Sequence, residues 1–193
     1  MKRLGLLVAF SFVAVCGVGQ DYAIFRGPCH TYQPLSTDLK PGSYEIGYID
    51  ELGTFYLSTG EADRAAWIDL TSDDLAQLRG ILNKYFQSEK NPPAKRQETT
   101  QALSRITTSA HWMEDDKWYE ADGLDLLFTS IFKTDGTSLL EIRSNTVSAS
   151  DSTESYHLAS LLFHEDEAQR LAEGISKTNI DSALSEREKR SSQ

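Results

Sequence analysis

Three stretches of this 193-residue chain set reactive or ligand-holding side chains close together. Cys29 and His30 are neighbours. A thiol acts as a nucleophile when a base takes its proton, but adjacent residues of an extended chain point to opposite faces. His111 or His157 would have to reach Cys29 through the fold, and the plain expectation is an incidental thiol near the N-terminus. His164–Glu165–Asp166–Glu167 opens like the zinc-binding His-Glu-x-x-His helix, but the second histidine is missing. Those acids suit the positive end of a helix dipole, so the segment reads as a helix start. The chain has no Gly-rich phosphate loop, no Gly-x-Ser-x-Gly elbow and no paired cysteine motif. No catalytic residue, metal ligand or cofactor is assigned from the sequence.

The third stretch is the richest. Glu114, Asp115, Asp116, Glu120, Asp122 and Asp125 surround Trp118 and Tyr119, with Trp112 just ahead. Oxygen ligands in such numbers suit calcium, but the spacing is not that of an EF-hand loop. Exposed aromatics beside carboxylates can stack a sugar or grip a peptide. Trp112, Trp118, Tyr119 and Asp122 are therefore the candidate ligand-binding residues. The competing expectation is aromatics buried in a sheet.

The elements that must position these residues follow from periodicity. Tyr44 to Asp50 alternates with period two and reads as a strand. Leu52–Gly53 makes a turn, and Thr54–Leu57 begins the return strand. Gly60, Glu61 and Asp63 mark a loop before a third strand, Ala65–Leu70. Thr71 is a helix cap with Asp74 as its partner. Leu75, Leu78, Ile81, Leu82, Tyr85 and Phe86 then share one helical face, and Asn91–Pro92–Pro93 ends the helix. The second half follows the same plan. Leu126–Phe132 and Ser138–Val147 are strands around the turn at Asp135–Gly136. A polar loop, a strand over Tyr156–Phe163 and a helix with Ala168, Leu171, Ala172 and Ile175 inward complete it. A fourth strand per half is available at Thr31–Leu39 and at Arg105–Met113. The fold class expected is α+β, with two pseudo-equivalent halves. Each half is an antiparallel β-meander of three or four strands followed by one packed amphipathic helix.

The order of elements resembles the tandem architecture of Pur-type repeats and Whirly-like single-strand binders. The features carrying that likeness are Gly53–Thr54–Phe55–Tyr56–Leu57, then Trp67–Ile68–Asp69–Leu70 running into a helix at Ser72. Gly136–Thr137 and Leu161–Leu162–Phe163 repeat it in the second half. The resemblance implies a single-stranded nucleic-acid ligand. Charge argues the other way, since nucleic-acid binders carry a basic footprint.

Met1–Lys2–Arg3 followed by an apolar run from Leu4 to Val18 fits a secretory signal peptide over residues 1–19. Cys16 behind Val13–Ala14–Val15 gives a lipid anchor as the minor alternative. Removing Lys2 and Arg3 with such a leader takes the formal charge from −10 to −12. It also leaves Cys29 as the one remaining thiol. The organisation expected is a first half over 20–89, a linker over 90–101, a second half over 102–178 and a charged tail over 179–193. These readings converge on a secreted or periplasmic, non-catalytic binding or interaction protein. Its partner would be itself or an envelope or extracellular protein, with nucleic acid disfavoured and no membrane span left after leader removal. The alternatives are a small exported hydrolase-like enzyme using carboxylates and histidine, or a tandem single-strand binder.

Overall fold

The computed structural model describes residues 21–32, 38–59, 66–90, 98–150 and 152–191. The proposed leader and the loop at Gly60–Asp63 lie outside these residues. Strands β1 (Asp21–Tyr32), β2 (Leu39–Ile49), β3 (Thr54–Thr59) and β4 (Ala66–Leu70) run antiparallel and lead into helix α1 (Ser72–Lys90). Strands β5 (Thr99–Glu114), β6 (Lys117–Phe132), β7 (Ser138–Ser144) and, later in the chain, β10 (Leu161–Phe163) do the same and lead into α2 (Glu165–Gly174). A small hairpin of β8 (Val147–Ser148) and β9 (Ser155–Tyr156) lies between β7 and β10, and α3 (Lys177–Ser191) follows α2. The protein is thus α+β, with a large antiparallel sheet and three helices among the described residues.

The halves expected from the sequence do not form two separate sheets. β4 pairs with β5 across α1, and β1 meets β10, so eight strands close into one barrel in the order β1-β10-β7-β6-β5-β4-β3-β2. Closure removes the unpaired edges that two open meanders would expose. The two joints differ in extent. β4–β5 is registered at Ala66–Trp112, Trp67–His111 and Ile68–Ala110, whereas β1–β10 has one pair, His30–Leu162. Pro28, which has no amide donor, stands beside that short seam.

Alternation sends one side of every strand inward. Tyr44, Ile46, Leu57, Ile68, Trp112 and Phe128 are among the buried side chains that fill the barrel. α1 adds Leu75, Leu78, Ile81, Leu82 and Tyr85 to the same core. Each such burial stabilises the fold by roughly 1.5–3 kcal/mol before the entropy of ordering. The start of α1 is fixed by reciprocal bonds. The Asp74 amide donates to Thr71 Oγ1 at 3.1 Å, and the Thr71 amide donates to Asp74 Oδ2 at 2.8 Å. α2 places Ala168 and Leu171 in the core and lies on β1 through Gly174. A Cβ at Gly174 would sit 2.5 Å from the Phe25 ring, so only glycine permits this approach.

Several segments differ from expectation. Strand β1 covers Asp21–Tyr32, ahead of the Thr31–Leu39 stretch favoured by sequence. Gly27, Pro28 and the polar Arg26 and His30 obscure its alternation. Only Tyr156, the end of β9, and Leu161–Phe163 are strand within the expected Tyr156–Phe163 run. Thr99–Gln101 belongs to β5 and not to a linker, while residues 91–97 are outside the described set. The charged tail is helical, as part of α3, over its described residues 179–191. Ile180 is buried, and Arg187 pairs with Asp50 while lying over the Tyr48 ring. Among the described residues, no helix is long and apolar enough to cross a membrane.

Candidate ligand site on the outer face of the barrel

The β5–β6 hairpin turns on two residues, Asp115 and Asp116, with φ of 48° and 60°. A two-residue turn with both φ positive matches strand twist, and aspartate tolerates the left-handed region better than most residues. This turn fixes the register. Met113 faces Trp118, Trp112 faces Tyr119, His111 faces Glu120 and Ser109 faces Asp122. With side chains alternating, Trp112 and Ala110 go inward. His111, Trp118, Glu120 and Asp122 go outward. β4 brings Trp67 opposite His111, with Asp69 two residues on.

The outward residues form a layered cluster. The Trp67 and His111 rings stack at 5.0 Å and 18°, and Trp118 leans on Trp67 at 4.7 Å and 52°. His111 Nε2 lies 2.8 Å from Asp69 Oδ2, and its Nδ1 lies 3.9 Å from Glu120 Oε2. The hydrogen bond to Asp69 raises the His111 pKa above its ordinary value. Burial opposes that rise, and the charges of Asp69, Glu120 and Asp122 add to it. Ser109 donates to Asp122 Oδ1 at 2.6 Å. Beside this cluster opens a cleft of about 230 Å³, lined by His111, Trp118, Tyr119, Glu120 and Ser150. Ser150 comes from the loop of the β8–β9 hairpin.

The four residues singled out from sequence therefore separate. Trp118, 39% exposed, and Tyr119 line the cleft. Asp122 stands on the same outer face, held by Ser109. Trp112 does not join them. It is fully buried, stacked between Tyr119 at 5.8 Å and Tyr156 at 5.7 Å. Trp112 faces Tyr119 in the register and shares its inward side, whereas Trp118, the neighbour of Tyr119 on β6, takes the outer face. Trp67, Asp69, His111, Glu120 and Ser150 were missed as members of the site. The alternation Trp67–Ile68–Asp69–Leu70 signalled two outward residues, but their meeting with His111 depends on the β4–β5 pairing across α1.

A second histidine–carboxylate contact lies at the seam. His30 Nδ1 is 3.2 Å from Glu167 Oε2, which also accepts the His164 amide at 2.9 Å. The His30 and His164 rings meet edge to face at 5.1 Å. Cys29 points the other way, into the core, where burial and then the Glu167 charge push its thiol up to about 12. It is therefore protonated and unreactive at neutral pH. His111 sits with Trp67 and Asp69 on the outer face, not with Cys29. Between α1, α2 and the β6–β7 turn lies a wider depression of about 560 Å³, with Phe86, Glu89 and Glu165 on its walls. Burial is the main cause of a raised Glu89 pKa. Among the described residues, no group of three or more His, Cys, Asp and Glu side chains is arranged to hold a metal ion.

Comparison with family models, with curated proteins and with solved structures gives no match for this chain.

Proposed function

We propose that this chain is an exported, non-catalytic binding or interaction protein whose ligand site is the cleft at Trp118. One observation carries the reading: an exposed indole, backed by Trp67 and His111, forms one wall of an open cleft edged by Glu120 and Ser150. Rings held by neighbouring rings and strands lose little freedom when a ligand arrives, which favours binding. Export rests on the basic, then apolar, order of residues 1–19, and the location proposed is secreted or periplasmic. We also read β1–β4 with α1, and β5–β7 and β10 with α2, as pseudo-equivalent halves. The support is their shared order of four strands and one helix.

The test is titration of the full chain with soluble oligosaccharides and with basic and acidic peptides. The readout is the NMR signals of the Trp118 indole and the Glu120 amide. Saturable movement of both by one class supports the reading. Signals that stay fixed through every class end it.

A further inference from the structure

Given the Trp118 cleft as the ligand site, we propose that its ligand is a neutral carbohydrate. One sugar ring stacks on the Trp118 indole, and its hydroxyls are held by Glu120, His111, Tyr119 and Ser150. The proposal rests on the mixture of groups around one ring. Glu120 supplies acceptors, and its side chain is 80% exposed. His111 uses Nε2 on Asp69, and its Nδ1 is 3.9 Å from Glu120, too far for a hydrogen bond. That nitrogen donates to a ligand when the ring is protonated and accepts from one when it is neutral. Ser150 and Tyr119 carry hydroxyls that both donate and accept. A polyol presents donors and acceptors together and can use all four residues.

Charge separates a sugar from an anion. The bond to Asp69 favours the imidazolium form of His111, which faces the Glu120 carboxylate across the cleft. Asp69 at 2.8 Å answers the His111 charge, so Glu120 and Asp122 leave this face net negative: an anion is repelled, and a cation is the rival that a lysine-rich peptide tests. A neutral hydroxyl gains a charge-assisted hydrogen bond from Glu120 or His111. The indole completes the match. Its negative π face attracts the weakly positive C–H edges on the apolar side of a sugar ring. The platform is stiff because Trp118 leans on Trp67 and Trp67 stacks on His111.

The experiment titrates the full chain with cello-, xylo-, chito- and malto-oligosaccharides, and separately with a lysine-rich peptide. The Trp118 indole signal reports binding. One neutral series moves that signal with a Kd of roughly millimolar or tighter, and about 0.5 M salt leaves the Kd in place because no net charge is exchanged. Trp118→Ala weakens binding about tenfold or more, as removal of an aromatic platform should. Glu120→Gln, which still hydrogen-bonds, stays within about threefold, while Glu120→Ala loses more. Leu52→Ala, an exposed apolar residue outside the cleft, changes nothing. Melting curves establish that each variant is folded. If the peptide moves Trp118 and no sugar does, the carbohydrate assignment is overturned while the cleft stands as a site. If neither class moves it, both fall.

Discussion

Two histidines of this barrel sit beside carboxylates, and they do different work. His30 meets Glu167 at the seam, and His111 meets Asp69 on the outer face. Their side chains are similarly covered, 25% and 20% exposed. The contrast comes from what surrounds the acid. Glu167 is buried in the first turn of α2 and also receives the His164 amide, so the pair clasps a helix to the one-pair joint of the barrel. Asp69 is more open, and the histidine it orients stacks on Trp67, which in turn carries Trp118 beside a cleft. A His–carboxylate contact is therefore a clasp where it faces another element, and it borders the proposed ligand site where it faces solvent beside a cavity.

The sharpest way to break this comparison is to load each region with a change its role should not tolerate. Leu171→Asp on α2 places an unpaired charge at a fully packed position and costs several kcal/mol, comparable to the whole stability of a domain. Leu78→Asp on α1 does the same. Both variants should lack a cooperative thermal transition. Trp118→Ala, on the open face, should melt close to wild type. A cooperative Leu171→Asp transition near the wild-type temperature would mean that α2 is not part of the core.

A milder contrast removes the acids themselves. Glu167→Ala leaves the His164 amide and His30 without their acceptor, at a cost of about 1–3 kcal/mol in urea unfolding. Asp69→Asn keeps an oxygen for His111 and should cost less. Equal losses would erase the distinction between clasp and site.

The pH response sharpens the comparison further. His111 has its pKa raised in the folded state, chiefly by the Asp69 bond. Its contribution to stability is complete below the unfolded value of about 6.5 and is lost as pH rises through the higher folded value. Wild type should lose urea stability over that interval, and Asp69→Asn should lose less. An NMR titration of the His111 ring that shows no upward displacement would contradict this.

The smallest effect belongs to the turn that carries Trp118. Asp115→Asn with Asp116→Gly suits two positive-φ positions and should add roughly 0.5–1 kcal/mol. Oligosaccharide binding should not change, because the register stays the same. A change in binding with this pair would show that the turn, not the strand face, shapes the cleft.

Much of the local structure was legible. The Thr71–Asp74 cap, the helix face from Leu75 to Tyr85, the turns at Gly53 and Gly136 and the His164 start of α2 all follow from short-range chemistry. Closure of the barrel was not, because β4–β5 and β1–β10 join residues far apart and leave no local mark. The site was half legible for the same reason. Trp118 and Tyr119 lie within one hairpin, whose sequence hints at ligand contact. Trp67 and Asp69 join them only through a register set across α1. Trp112 was placed with them because sequence proximity hides which face a strand residue takes.

The single pair at His30–Leu162 also has a kinetic meaning. Joining residue 30 to residue 162 closes most of the described chain into a loop, and long loops cost more entropy than short hairpins. The β5–β6 hairpin, with its two-residue turn and long register, needs no such closure and can form early. The seam should therefore zip last, with α2 docking on β1 as the step that holds it. Perturbing the seam would then mainly quicken unfolding and leave the folding rate nearly constant. In Glu167→Ala, stopped-flow traces should show most of the lost stability in the unfolding arm.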